Sequence, residues 1–175
     1  DVSITVPENY VVAATGELQN AEEKEWLKKR SSFTWEPVKK RIKKGSTVKT
    51  VIQKFPVSAA GIKTLRFTQD RVHDFAWFAD KRFHVLKSEF ILPETGRPIE
   101  CWAYFTNKQS KLWKNSLEYI ENGIRYYSKR VGAYPYSSYS AVDGTITAGG
   151  GMEYPMVTVI GGSGNAYTLE NTIVH

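Results

Sequence analysis

The sequence predicts an α+β fold on three observations. From Asp1 to about Phe105 apolar residues alternate with polar ones, the period of two that puts every second side chain of a strand on one face. After Asn107 the apolar spacing changes to three and four, the period of a helix with one apolar stripe. The end of the chain, GGGMEYPMVTVIGGSGNAYTLENTIVH, then runs from a glycine-rich strand through a loop into a helix.

In the first half, Val2, Ile4 and Val6 alternate with polar neighbours. YVVAATG, TVKTVIQKF, IKTLRFTQD, DFAWFAD, HVLKSEFIL and IECWAYF read as further strands, punctuated by Pro, Gly, Asn and Asp. Short strands at this spacing predict antiparallel sheet. NAEEKEWLKKR interrupts them with Asn20 at an N-cap, Glu23 at the capping-box position and basic residues at the far end, where a helix dipole favours them. A short surface helix is expected there, with charges that need no functional explanation.

In the second half, Ser110 is placed to cap one long amphipathic helix. Trp113, Leu117, Ile120, Ile124, Tyr127 and Val131 form its stripe and Gly132 ends it. AYPYSSY is a turn-rich connection, YSAVDG a strand, and GGGMEYPMVTVI a second strand with a glycine-rich start. Residues 161–165 form a loop, and Thr168 is a candidate N-cap for the last helix. The change of texture divides the chain into a β-rich part, residues 1–105, and a mixed part, residues 106–175.

Composition narrows the function classes. An apolar share of 41% and an aromatic share of 13% provide for a buried core, and no apolar run reaches the length of a transmembrane helix. Cys101, the single cysteine, has no internal partner and reads as a half-buried strand thiol. Nothing in the sequence fixes the compartment. The net charge of +6 is concentrated in Lys28-Lys29-Arg30 and in KKRIKK at residues 39–44. No helix-turn-helix, zinc-finger or RNP-type pattern accompanies these clusters, so no nucleic-acid partner is expected. His73 and His84 have no second ligand at metal spacing, and structural roles are expected for both.

The tail carries the candidate chemistry. Glu153 in MEYPMVTVI is expected among apolar strand residues, where a carboxylate needs a cation, either internal or on a ligand. Gly149, Gly150 and Gly151 precede it and fit a bulge or turn, or a backbone that another chain approaches closely. GGSG at residues 161–164 lacks the lysine and hydroxyl of a phosphate-binding loop. His175, after Ile173 and Val174, fits a core residue as well as a metal ligand or base facing a cleft.

GGGMEYP followed by a loop and a helix reaching NTIVH resembles the zinc aminopeptidases of the gluzincin clan, the group that includes alanyl aminopeptidase and leukotriene hydrolase. In that family a GxMEN-type strand precedes a helix carrying HExxH. Gly150, Gly151, Met152 and Glu153 match the strand, with Tyr154 where most members have Asn, and His175 falls at the first histidine. The resemblance extends upstream through ITVPENYVVAATGEL, KTLRFTQDRVHDFAW and YPYSSY. It implies that residues 1–105 are the C-terminal part of an antiparallel N-terminal β domain, and that 106–175 begin a thermolysin-like catalytic domain. It further implies that Glu153 binds the free α-amino group of a peptide substrate, that Gly150, Gly151 and Met152 hold the peptide backbone, and that His175 is a zinc ligand. A tyrosine of YPYSSY is placed to border the cleft.

HExxH puts two histidines on one helical face around a general-base glutamate. Only its first residue is present, so the chain is expected to be a piece of a longer metallo-aminopeptidase, inert and zinc-free by itself. The alternative is a non-catalytic, β-rich interaction module that uses the basic cluster to hold an acidic partner.

Overall fold

A computed structural model of the chain describes residues 1–32, 55–146 and 149–175. Three sheets and four helices account for them. The first sheet has the order β1 (Val2–Pro7), β4 (Ile62–Thr68), β3 (Glu17–Leu18), and the second pairs β2 (Val11–Ala14) with β5 (Trp77–Asp80), all antiparallel. Ile4, Val6, Leu65 and Phe67 of the first sheet close on Val12 and Ala14 of the second. This is the packing that alternating strands predict, one face of each buried against the other.

The third sheet is five-stranded and mixed. β6 (His84–Leu92) and β7 (Arg97–Phe105) form an antiparallel hairpin, β8 (Ser138–Asp143) and β10 (Val157–Ile160) lie parallel to their inner neighbours, and β9 (Gly151–Tyr154) returns antiparallel on the outer edge. The sheet is continuous across residue 105, since β7 pairs with β8 from Glu100↔Ser138 to Tyr104↔Val142.

Helices α2 (Ser110–Trp113), α3 (Ser116–Arg130) and α4 (Ala166–Val174) cover one face of this sheet. Trp113, Ile120, Ile124, Leu169 and Ile173 are buried there against Leu92, Ile99, Phe105 and Ile160. α1 (Ala21–Ser31), with Leu27 buried, covers the other face together with β2. Cys101 on β7 is fully buried rather than half-buried, and burial pushes its thiol up to about 12, where it is inert.

Several local expectations are corrected. The long helix is two: α2 stops at Trp113, and α3 starts after Asn115. Ser110 is the first residue of α2, with its hydroxyl on the carbonyl of Asn107, and at the break itself the side chain of Ser116 donates to the carbonyl of Trp113. The apolar stripe continues in phase across the break, which is why spacing alone does not reveal it. GGGMEYPMVTVI is a hairpin, not one strand: Pro155 fixes φ at the first turn position, and Met156 takes a left-handed φ of 66° at the second. The cap of α4 is Asn165, whose Oδ1 accepts from the Thr168 amide at 2.9 Å. His73 lies in the connection between β4 and β5, outside any strand.

At α1 Asn20 stands at the N-cap as expected, its carbonyl accepting from the Lys24 amide, but its side chain makes no capping bond. Its side chain donates to the Thr64 carbonyl and accepts from the Arg66 amide, tying the helix to β4. Glu23 is buried, with Oε1 2.7 Å from Lys63 Nζ, so the helix is not a freely solvated one. The guanidinium of Arg30 donates twice to the Phe83 carbonyl, which gives one member of the first basic cluster a structural use. The second cluster, residues 39–44, and the expected strand TVKTVIQKF, except for Phe55, lie outside the described residues. No helix among those described is long and apolar enough to cross a membrane.

Candidate functional site

β9 is the outermost strand of its sheet. Its inner edge pairs with β10 in the register Gly151↔Ile160, Met152↔Val159, Glu153↔Thr158 and Tyr154↔Val157. Among the described residues no strand pairs with its outer edge. Such an edge offers N–H and C=O groups to a further strand.

Strand alternation sends Gly151 and Glu153 to the face that carries α3 and α4. The ring of Tyr154 turns to the other side and packs 6.4 Å from that of Phe78. Thr158, opposite Glu153, accepts a hydrogen bond of 2.7 Å from the Tyr139 hydroxyl. Burial raises the Tyr139 phenol to about 12; the Thr158 bond works against that rise, and the charge of Glu153 adds a small part to it.

The three glycines divide the work. Gly149 and Gly150 take left-handed φ of 74° and 73°, and a Cβ on either meets nothing within 4 Å, so their role is the turn itself. Gly151 has the close contact: a Cβ there would stand 3.0 Å from Thr172 Cγ2 of α4 and 3.3 Å from the Val159 carbonyl oxygen. The missing side chain lets α4 lie against β9. The Gly150 carbonyl accepts from the Gly161 amide at 2.8 Å, which joins the two ends of the hairpin's base.

α4 brings His175 to the same place. The backbone N–H of His175 donates to the Asn171 carbonyl at 2.9 Å, continuing the helical pattern to the last residue. Gly123 of α3 faces Val174 at 3.5 Å from its would-be Cβ, so the end of α4 closes on α3 as well as on β9.

These contacts leave a groove of about 390 Å³, lined by Ile120, Ile124 and Tyr127 of α3, Tyr134, Tyr136 and Tyr139, Gly151 and Glu153 of β9, Met156, and Ile173 and His175 at the end of α4. Among the described residues Glu153 is its single side-chain carboxylate, and no Lys, Arg or Asp lines it. A second cavity of about 320 Å³ lies between β2 and the five-stranded sheet, with Glu17, Glu100 and Trp102 in its wall. Two of the three acids in its lining, Glu17, Glu89 and Glu100, are engaged: Glu100 pairs with Lys87, and Glu17 accepts from the Ser137 hydroxyl.

Glu153, Gly151 and His175 thus meet at one groove, with Met152 half-exposed on the strand and Gly150 at the turn before it. Glu153 is not sunk in hydrocarbon, as the apolar run had suggested. The central strand β10 takes the burial with Val157, Thr158, Val159 and Ile160, and edge strand β9 keeps Glu153 exposed. Desolvation therefore does not force a partner on it, and no ion pair among the described residues includes it.

Sequence reasoning missed Met156, Gly123 and the groove-facing part of the α3 stripe. The stripe reads as core because its spacing is the same whether a helix covers it or solvent does. Pro155 was the available turn signal, and Met in place of the usual Gly or Asn after it hid the hairpin.

A catalytic zinc takes three protein ligands. Among the described residues no three His, Cys, Asp or Glu side chains gather as a metal site. His175 and Glu153 alone do not compose one. The ring of His84 is half-buried, 2.5 Å from Asn107 Oδ1, and belongs to no metal-holding group among the described residues.

No family model matches the chain, and no curated protein matches it. Its fold is found in solved structures. A mutant of a two-domain M1 zinc metallopeptidase bound to L-arginine shares 14% identity at a TM-score of 0.57, over 99% of this chain and 32% of that one. Legionella pneumophila aminopeptidase A in complex with aspartic acid shares 11% at 0.56, over 90% and 15%. The M1 zinc metallopeptidase from Deinococcus radiodurans shares 14% at 0.54, over 98% and 32%. The chain thus spans about a third or less of the length of these structures, and at such identities the likeness is one of fold. The α+β arrangement described above is the one found in M1 zinc metallopeptidases.

Proposed function

We propose that the chain is the substrate-presenting part of a zinc metallo-aminopeptidase. In this reading Glu153 accepts hydrogen bonds from the α-ammonium of a peptide. The backbone of Gly150, Gly151 and Met152 pairs with the peptide as an added strand. His175 is the first of the zinc ligands, and the remainder of the ligand set belongs to a larger protein. A bound zinc there would polarise the scissile carbonyl and activate water. The described residues hold no complete ligand set, so no step of hydrolysis is assigned to them.

The observation that carries the reading is the meeting of Glu153 and His175 at one groove beside an uncovered strand edge. The fold likeness to zinc metallopeptidases supports it.

Two measurements test it. Titrating the isotopically labelled chain with a free-amine tripeptide amide should shift the backbone amides of residues 150–154 first; shifts confined to other elements refute the assigned site. Incubating the chain with an aminoacyl-anilide and excess zinc should give no turnover above a protein-free control. Turnover would refute the assignment of catalysis to the larger protein.

A further inference from the structure

The groove beside Glu153 has a composition that selects among peptides. Among the described residues one side-chain carboxylate stands in it, and the rest of its wall is apolar or aromatic apart from a few neutral polar residues and His175. The tyrosines deepen this bias. Tyr139 donates its hydroxyl to Thr158 at 2.7 Å and Tyr134 to the Ser138 carbonyl at 3.0 Å, so both polar tips are engaged inside the protein and the rings are left to form the wall. Ile120 and Ile124 are buried at the groove's floor, and the accessible apolar surface on the α3 side comes from Tyr127 and, just past the helix end, Val131. The volume, about 390 Å³, exceeds what a small side chain fills.

A ligand that suits this wall carries one positive charge and a large apolar group beside it. A second cation would find no second carboxylate, and a carboxylate in the same place would meet Glu153 at short range without an arginine or lysine to offset it. A methyl group would leave most of the apolar wall in contact with water.

We infer that the peptide bound here begins with a large apolar or aromatic residue, whose side chain enters the groove while its ammonium lies on Glu153. This inference rests on the proposed reading of Glu153. The geometry on the chain's side is fixed by Gly151 and Gly123, which hold α4 against β9 and α3 and so set the width of the groove.

The test is calorimetric. The chain is titrated with X-Gly-Gly amides in which X is Phe, Leu, Ala, Arg or Glu, and with N-acetyl-Phe-Gly-Gly amide. Phe and Leu should bind about tenfold or more tighter than Ala, and Arg and Glu no tighter than Ala. Equal affinities across the free-amine series would overturn the inference and leave the amine reading intact. If acetylation of the Phe peptide costs nothing, or if no peptide binds, the amine reading fails and the inference falls with it.

Tyr127→Asp, at a half-exposed position on the wall, should abolish the preference for Phe over Ala and keep the preference for a free amine. Tyr126→Asp, on the neighbouring exposed position outside the groove, should change neither. A Phe preference that survives Tyr127→Asp would place the side chain elsewhere and overturn the proposal.

Discussion

Two glutamates divide the labour of this molecule. Glu23 sits on a helix that reads as a solvated one and is buried against Lys63 at 2.7 Å, with the same ammonium 4.1 Å from the Trp26 ring. Glu153 sits on a strand that reads as buried and is exposed on the sheet's edge, outside every ion pair among the described residues. A carboxylate already matched inside the fold holds elements together; one left solvated beside an apolar groove is free to meet a ligand. Burial is decided by the place of an element in its sheet or layer, and the residues flanking a carboxylate do not report that place.

The largest expected effect breaks the first of these sites. Glu23→Ala strands the ammonium of Lys63, whose side chain is only 15% exposed, and should cost about 3 kcal/mol in urea unfolding. A loss below about 0.5 kcal/mol would make the pair an ordinary surface contact. Next is the wall between β9 and α4. Gly151→Val places branched carbon where a Cβ already stands 3.0 Å from Thr172, and should cost about 2 kcal/mol. The same substitution at exposed Gly164 has no neighbour within 4 Å to meet, and a smaller loss is expected.

A pH profile sharpens the contrast. Burial raises the Glu23 carboxyl, with Lys63 pulling the other way, and burial raises that of Asp143 against the hydrogen bonds from Thr106. Between these raised values and the ordinary ones of 4.5 and 3.8 the folded chain binds more protons than the unfolded chain, so these groups add stability as pH falls through that window. Asp80 behaves oppositely. Burial raises it, but the hydrogen bonds and charge of Arg82 outweigh burial and hold it below 3.8, so its contribution disappears only in stronger acid. Glu23→Gln should flatten the rise above pH 4.5, seen by chemical denaturation at stepped pH; superimposable profiles would contradict the assignment.

Much of this fold is legible in the chain. Six of the seven strands expected before residue 106 overlap strands of the structure: one-sided burial writes a period of two into β1 and β4, while β2 and the end of β7 are buried on both faces and read as short apolar runs. The seventh falls outside the described residues apart from Phe55. What spacing does not give is partnership. Nothing in HVLKSEFIL or IECWAYF tells that they join β8 in the helix-covered sheet and not β1 or β2. The break after Trp113 preserves the phase of the stripe, and Asn165 and Thr168 are both good caps, chosen between by a single hydrogen bond.

At the site, the motif residues Gly151, Glu153 and His175 were readable, and the structure brings them to one groove. The apolar wall was not. Tyr127 has the spacing of the core residues Ile120 and Ile124, and nothing in that spacing tells that it alone of the three stays half-exposed at the groove.

The smallest effect on stability and the most direct test coincide at Glu153. Glu153→Gln should leave the melting temperature within about 2 °C, since the side chain is exposed and outside every ion pair among the described residues. The decisive quantity is the affinity ratio between a free-amine peptide and its N-acetyl form, measured for both chains. The account predicts a ratio of about five in the parent chain and about one in Glu153→Gln. An unchanged ratio in the variant would contradict the claim that this carboxylate reads the peptide's amino terminus.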